Sequence, residues 1–239
     1  MNMEINLHMK PKDTKDLSSQ WNRVSAPIFW GEIAPCDHVV QIYDDDEVFV
    51  DMLAGFTGDG INTGDCVVII ATTAHLIALE KKLESFGVQV DVLISDNRYI
   101  PLNAEKCLAK FMVNGWPDEK LFTEFICQLL EQARGHNRRV RAFGEMVAIL
   151  WAQGYNGATV QLEHLWESFC QREAFCLFCA YPKSGFTEDI HTSIEHICSS
   201  HSKMIAATEK PLTEILFRNT GSRIAPAIDY EGDVQRKAV

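Results

Sequence analysis

The side chains of this sequence best placed to do chemistry follow short apolar runs. Tyr43 closes the run from His38 and is followed by Asp44; Thr73 and His75 follow Cys66–Ala71; Glu145 follows Val140–Gly144; Tyr181 closes the run from Phe175. Continuous apolar runs of this length are expected for strands buried on both faces of a parallel sheet. In such sheets ligands collect beyond the carboxyl ends of the strands. Tyr43, Asp44, Thr73, His75, Glu145 and Tyr181 are therefore candidate ligand residues, with Trp151 and Trp166 as apolar walls. Glu145 sits beside Gly144, where backbone can approach a ligand. Asp44 and Thr73 also have the residue types of helix caps.

Other chemistries lack their residues. No GxxxxGK[ST] loop occurs, and the glycine cluster Gly58-Asp-Gly-Ile-Asn-Thr-Gly64 stands after a predicted helix and before a predicted strand, the wrong order for a phosphate cradle. It is expected to be a connecting loop. HExxH and GxSxG are absent, and no serine is presented as a nucleophile. Cys176 and Cys179 fall within one predicted strand on opposite faces, which argues against joint chelation. Cys198 and His201 are i,i+3 neighbours on a predicted last helix and form a weak metal candidate with no second pair of convincing spacing. No catalytic set, metal or cofactor is expected.

The elements that must position these residues alternate. Strands are predicted at His38–Tyr43, Cys66–Ala71, Val90–Ile94, Tyr99–Leu102, Val140–Gly144 and Phe175–Tyr181. A helix after Asp44-Asp45-Asp46 carries Val48, Met52, Leu53 and Phe56 and should dissolve in the glycine cluster. Others carry Leu76, Leu79, Leu83 and Phe86; Cys107, Leu108 and Phe111; and Leu121 through Ala133, with a wide apolar stripe. Further helices are expected at Met146–Ala152, around Leu162, Leu165, Trp166 and Phe169, and from Glu188 to Ile205. Strands alternating with helices imply right-handed crossovers and an α/β three-layer sandwich with a mostly parallel central sheet. Residues 1–29 are expected to form an arm, with Ile28, Phe29 and Trp30 tying its end to the core. Residues 30–205 form the domain and 206–239 a tail.

With 239 residues, 46% of them hydrophobic, the chain can bury a full core. Its net charge of −11 disfavours direct binding of nucleic acid, and the basic residues Arg138, Arg139 and Arg141 are expected at a solvated junction. Met1–Lys15 is polar, no stretch approaches the ~20 apolar residues of a membrane span, and the eight cysteines are scattered through apolar runs. A cytoplasmic, reduced protein without a leader is expected.

Several segments together resemble the MEDS family, the methanogen/methylotroph sensory domain. They are His38–Asp44, Gly60–Thr72 leading to His75, Lys110–Gly115, Arg141-Ala-Phe-Gly-Glu-Met146 with Leu150-Trp151, Leu162-Glu163 with Leu165-Trp166, Cys179–Pro182 with Gly185-Phe186, and Ile197–Ser202. Ala206 departs from the pattern's proline, and the following acid, Glu209, is displaced. The resemblance implies a RecA/KaiC-like core whose phosphate-binding loop is degenerate. It implies a sensor of small hydrocarbon-derived compounds that works beside helix-turn-helix, PAS or histidine-kinase modules. It singles out His38, Tyr43, Arg141, Glu145, Trp166, Tyr181 and His201 as pattern residues.

The expectation is thus a ligand-sensing signalling domain that binds a small organic molecule at the strand ends and acts through a histidine kinase or transcription regulator. A homodimer is compatible with it. Two alternatives stand beside it. One is a diverged nucleotide hydrolase, with Glu145 as base and Arg141 or His75 at a phosphate; the other is a ligand-free adaptor.

Overall fold

The computed structural model describes residues 30–135, 137–186, 197 and 201–206. After a 3-10 turn at Trp30–Glu32, the chain runs β1 (His38–Tyr43), α1 (Asp46–Thr63), β2 (Cys66–Ala71), α2 (Thr73–Ser85), α3 (Val90–Ser95) and β3 (Tyr99–Asn103). It continues through α4 (Ala104–Leu108), a small hairpin of β4 (Met112–Val113) and β5 (Trp116–Pro117), α5 (Glu119–Arg134) and β6 (Val140–Gly144). Then come α6 (Met146–Ala152), α7 (Asn156–Glu173), β7 (Cys176–Pro182) and β8 (Lys203–Ala206).

The main sheet has the order β3-β2-β6-β7-β1-β8, and every pairing in it is parallel. Alternate residues of each strand feed two cores. Val40, Val68, Ile70, Ala142 and Leu177 face α5, α6 and α7 through Phe122, Ile126, Leu150, Leu162 and Trp166. Val39, Val67, Ile69, Phe143 and Phe178 face α1 and α2 through Phe49, Leu53, Phe56, Leu79 and Leu83. A strand covered on both faces needs apolar side chains at every position, which is why the strand runs lack alternation. Cys176 and Cys179 fall in opposite cores, as strand alternation requires.

The helices start on side-chain caps. Asp45 accepts from the Glu47 and Val48 amides at 2.7 and 3.2 Å, Thr72 from the His75 amide at 3.4 Å, and Asp118 from the Leu121 amide at 2.9 Å. The caps are Asp45 and Thr72, so the capping reading of their neighbours Asp44 and Thr73 is corrected.

Three other expectations are corrected. The glycine cluster is no loop: α1 runs through it to Thr63 and ends on Gly64, whose φ of 84° suits a left-handed C-cap. Gly60 is required there by packing. A Cβ at that position would lie 2.7 Å from Val67 Cγ2 and 3.0 Å from Arg141 Cδ. Val90–Ser95 is a helix rather than a strand; it buries Val90 and Leu93, three residues apart on one face. The last helix does not reach Ile205, because Lys203–Ala206 forms β8 on the open edge of β1. Within the expected helix Ile197 is helical, and 188–196 and 198–200 lie outside the described residues.

The order of strands fixes where a crevice opens. From β2 the chain passes outward to β3 through α2 and α3 on one face. From β6 it passes the other way to β7 through α6 and α7 on the opposite face. The connections therefore part between the carboxyl ends of β2 and β6, a topological switch point.

Candidate functional site

Glu145 occupies that switch point. Its backbone amide donates to the Ile70 carbonyl at 2.9 Å, fastening the end of β6 to β2. Its carboxylate, with the residue only 5% exposed, is shared across the gap. Oε2 accepts from the Thr72 amide at 2.8 Å, and Oε1 lies 2.7 Å from Nδ1 of His75. His75 in turn packs edge-on against Phe49, which stacks on Tyr43 with ring centroids 4.5 Å apart. Burial alone would depress the imidazole pKa, but the Glu145 hydrogen bond and charge, with Asp46 adding, raise it above its ordinary value. Burial, then the charges of Glu145 and Asp46, raise the Tyr43 phenol. The His75 side chain keeps 14% exposure, so the pair touches solvent. At Gly144, on the alternate face of β6, a methyl group would meet nothing within 4 Å.

The neighbouring candidates have other duties. Asp44 is exposed and pairs with Lys183 at 3.1 Å, and the Thr73 hydroxyl accepts from Asn103 Nδ2 at 3.0 Å. Asp44, Asp45, Asp46 and Glu47 crowd the β1–α1 junction, and Asp45 already occupies two amides of the helix start. A phosphate would meet like charge there. Trp151 donates Nε1–H to the Gly185 carbonyl at 2.8 Å and packs on Phe186. Trp166 is a core residue, edge-on to Phe122 at 5.0 Å.

Arg141 stands away from this crevice, near the start of β6. Nε donates to Asp65 at 2.7 Å and Nη1 reaches Asp59 at 2.7 Å, while the Trp30 carbonyl and Thr63 hydroxyl take further donors. This network ties the end of α1 to the starts of β2 and β6. The expectations for Arg141, a ligand candidate from the family pattern and part of a solvated junction, are corrected: it is buried, and its guanidinium is engaged in holding Asp65 and Asp59. A cavity of about 40 Å³ lined by Asp65, Arg139 and Arg141 lies beside it.

His38 and Tyr181 also leave the strand-end set, and they meet in a second, buried cluster. His38, Glu163, Cys179 and His201 bring one ligand atom each within 4.8 Å of one another. All four are buried, with exposures of 0%, 1%, 0% and 7%. They arrive from β1, α7, β7 and the segment entering β8. His38 Nε2 lies 3.3 Å from Cys179 Sγ and 3.6 Å from Glu163 Oε2, and His201 Nε2 lies 3.6 Å from the same oxygen. Around them, the Tyr181 hydroxyl donates to Glu163 Oε1, Glu167 Oε2 is 3.1 Å from His38 Nδ1, and His201 Nδ1 is 2.6 Å from the Ile197 carbonyl. Burial pushes His38 below its ordinary pKa and His201 down to about 4, and it raises Glu163 and Cys179.

Of the expected metal pair, His201 belongs to this cluster, and Cys198 lies outside the described residues. Glu163, Glu167 and Cys179 were not among the predicted site residues. The available signal was Glu163, an acid inside the apolar stripe of Leu162 and Trp166, which a helix keeps buried only with partners.

The molecule is an α/β domain with a parallel central sheet, a polar pair at its switch point and acids at the β1–α1 junction. The chain belongs to the MEDS family, the MEthanogen/methylotroph, DcmR Sensory domain, whose model matches residues 37–202. No match is found among curated proteins. Among solved structures the chain is similar to the flagellar accessory protein FlaH from Methanocaldococcus jannaschii, with 9% identity and a TM-score of 0.46 over 74% of this chain and 73% of that one. No helix among the described residues is long and apolar enough to cross a membrane.

Proposed function

We propose that this sensory domain takes a small organic molecule at the β2–β6 switch point and reports its presence to a partner protein. The observation that carries the reading is the Glu145–His75 pair, a buried carboxylate and a partly exposed imidazole at the β2–β6 switch point. Such a pair offers both a hydrogen-bond acceptor and a donor to a ligand that carries a hydroxyl, amine or carboxylate on a short apolar body.

The pair also sits on the element that would transmit binding. Thr72 and His75 form the first turn of α2, so a ligand that draws on Glu145 or His75 acts directly on that helix start. Outward, α2 and α3 expose Ile77, Val92 and Ile94, apolar side chains suited to a protein partner such as a kinase or transcription regulator. Asp44, Asp45, Asp46 and Glu47 at the β1–α1 junction would repel a phosphate, which favours a sensor over a nucleotide hydrolase.

The test is a thermal-shift screen of the full chain with short-chain alcohols, amines and carboxylates, and with ATP and magnesium, run in parallel on Glu145→Gln. A ligand at a hundredfold excess over Kd stabilises by about 2.7 kcal/mol. A shift with an organic probe that is lost in Glu145→Gln supports the proposal. A shift with ATP and magnesium alone would overturn it in favour of the hydrolase.

A further inference from the structure

We propose that His38, Glu163, Cys179 and His201 bind one divalent transition-metal ion of the zinc class in a closed, four-coordinate site that fastens the edge strand β8 to the core. This site shares no residue with the Glu145–His75 pair at the β2–β6 switch point.

The first argument is the direction of the lone pairs. His38 Nδ1 faces the Glu167 carboxylate and His201 Nδ1 faces a backbone carbonyl, so each Nδ1 carries the ring proton and each Nε2 presents a lone pair. Both Nε2 atoms, a carboxylate oxygen and a sulfur then point at one another. With Glu163 ionised, these four side chains hold a single donor among them, the Cys179 S–H. Among the described residues Glu163 Oε2 and His201 Nε2 are buried with no hydrogen-bond partner. Orphaned buried acceptors are costly, and a cation at this point would satisfy both while also taking a nitrogen of His38 and the sulfur of Cys179.

The second argument is metric. Zinc binds nitrogen and oxygen at about 2.0–2.2 Å and sulfur at about 2.3 Å, so the edges of its tetrahedron measure roughly 3.3–3.7 Å. Three of the six separations, at 3.3, 3.6 and 3.6 Å, fall on those edges, and all six lie within 4.8 Å. The third is the surrounding shell. A metal-bound histidine gives its other N–H to a carboxylate or backbone carbonyl, and a bound carboxylate is itself hydrogen-bonded. Glu167, the Ile197 carbonyl and the Tyr181 hydroxyl fill those roles.

Charge also balances. An ionised Glu163 and a Cys179 thiolate carry two negative charges that a divalent ion neutralises, whereas neutral histidines add none. Mixed imidazole, thiolate and carboxylate donors suit zinc, cobalt or iron rather than calcium or magnesium. Four protein ligands leave no open position, which makes the site structural rather than catalytic. Because His201 stands two residues before β8 and the other ligands lie on β1, α7 and β7, the ion would clamp the edge strand onto the sheet.

The experiment strips the full chain of metal with a strong chelator and titrates it with Co²⁺, then with Zn²⁺. The expected result is one Co²⁺ per chain, with the intense visible bands of tetrahedral cobalt and a thiolate charge-transfer band, both erased by Zn²⁺. Cys179→Ser should remove the charge-transfer band. Should that variant fail to fold, Glu167→Gln serves instead: its carboxylate is 31% exposed and positions His38 without touching the ion. It should keep the tetrahedral spectrum and weaken Co²⁺ binding about 10–100-fold. No saturable binding, a six-coordinate spectrum, or a Glu167→Gln titration identical to that of the unmodified protein would each overturn the proposal.

Discussion

The molecule pairs a buried glutamate with histidine twice, and the two places differ in what completes them. At the strand ends Glu145 has both oxygens engaged, one by the Thr72 amide and one by His75, and the imidazole keeps a solvent-facing edge. Under α7, Glu163 has one oxygen held by Tyr181 and the other facing two imidazoles and a sulfur. The first arrangement is closed by protons already in the protein, so the His75 pKa rises. In the second, burial outweighs the nearby carboxylates and drives His38 and His201 down instead. Identical residue types thus give a pair that can exchange a partner with a small molecule and a cluster that asks for a cation.

The largest expected effect separates the two regions by chelation. A metal present at a thousandfold excess over Kd stabilises by about 4 kcal/mol, and in a domain of this size each kcal/mol moves Tm by about 2–4 °C. Stripping the metal should therefore lower Tm by roughly 10 °C, with recovery on adding Zn²⁺, in the unmodified protein and in Glu145→Gln alike. Equal melting before and after chelation would break the comparison.

A smaller effect belongs to the crevice. Glu145→Gln weakens a charge-assisted acceptor for the Thr72 amide and the His75 ring, a loss of about 1–3 kcal/mol by denaturant unfolding. Metal content should not change. Loss of metal in this variant would show that the two regions are one site.

The pH dependence sharpens the same contrast. The folded-state pKa of His75 lies above the ordinary 6.5, so the folded protein holds the proton more tightly. The pair's stabilisation is then fully present below that value and fades as the pH rises through the folded-state value. His75→Gln should therefore flatten stability between about pH 6 and pH 8 relative to the unmodified protein. A steeper profile in the variant would contradict the assigned direction.

The smallest effect tests the open space. Gly144→Ala places a methyl group where nothing lies within 4 Å. Stability should hold or rise by about 0.4–1 kcal/mol through the less flexible unfolded chain, while affinity for any ligand seated there falls. Marked destabilisation would mean that the space is already filled.

How far the sequence carried depended on whether a feature was local. Cys66–Ala71 and Val140–Gly144 announced themselves because strands buried on both faces need unbroken apolar runs. Glu145 and His75 followed from the strand-end rule, since each stands within a few residues of its strand. Val90–Ser95 misled because its valines and isoleucine favour strands, while the burial of Val90 and Leu93 in one helical turn prevailed. Gly58, Gly60 and Gly64 suggested a break in α1, but Gly60 is set by the close packing of Val67 and Arg141 against the helix. The buried cluster was legible only in part. Its ligands come from positions 38, 163, 179 and 201, so no ligand spacing exists to be recognised until the sheet order brings β1, β7 and β8 side by side. His38 and His201 were singled out by family resemblance, whereas Glu163 and Cys179 acquire their role through the fold.

The most direct measurement is the elemental metal content of three purified full-length proteins: unmodified, Glu145→Gln and His201→Gln. The account predicts one zinc-class ion per chain in the first two and almost none in the third. Absence of metal from the unmodified protein after zinc is supplied, or its loss in Glu145→Gln with retention in His201→Gln, would contradict it.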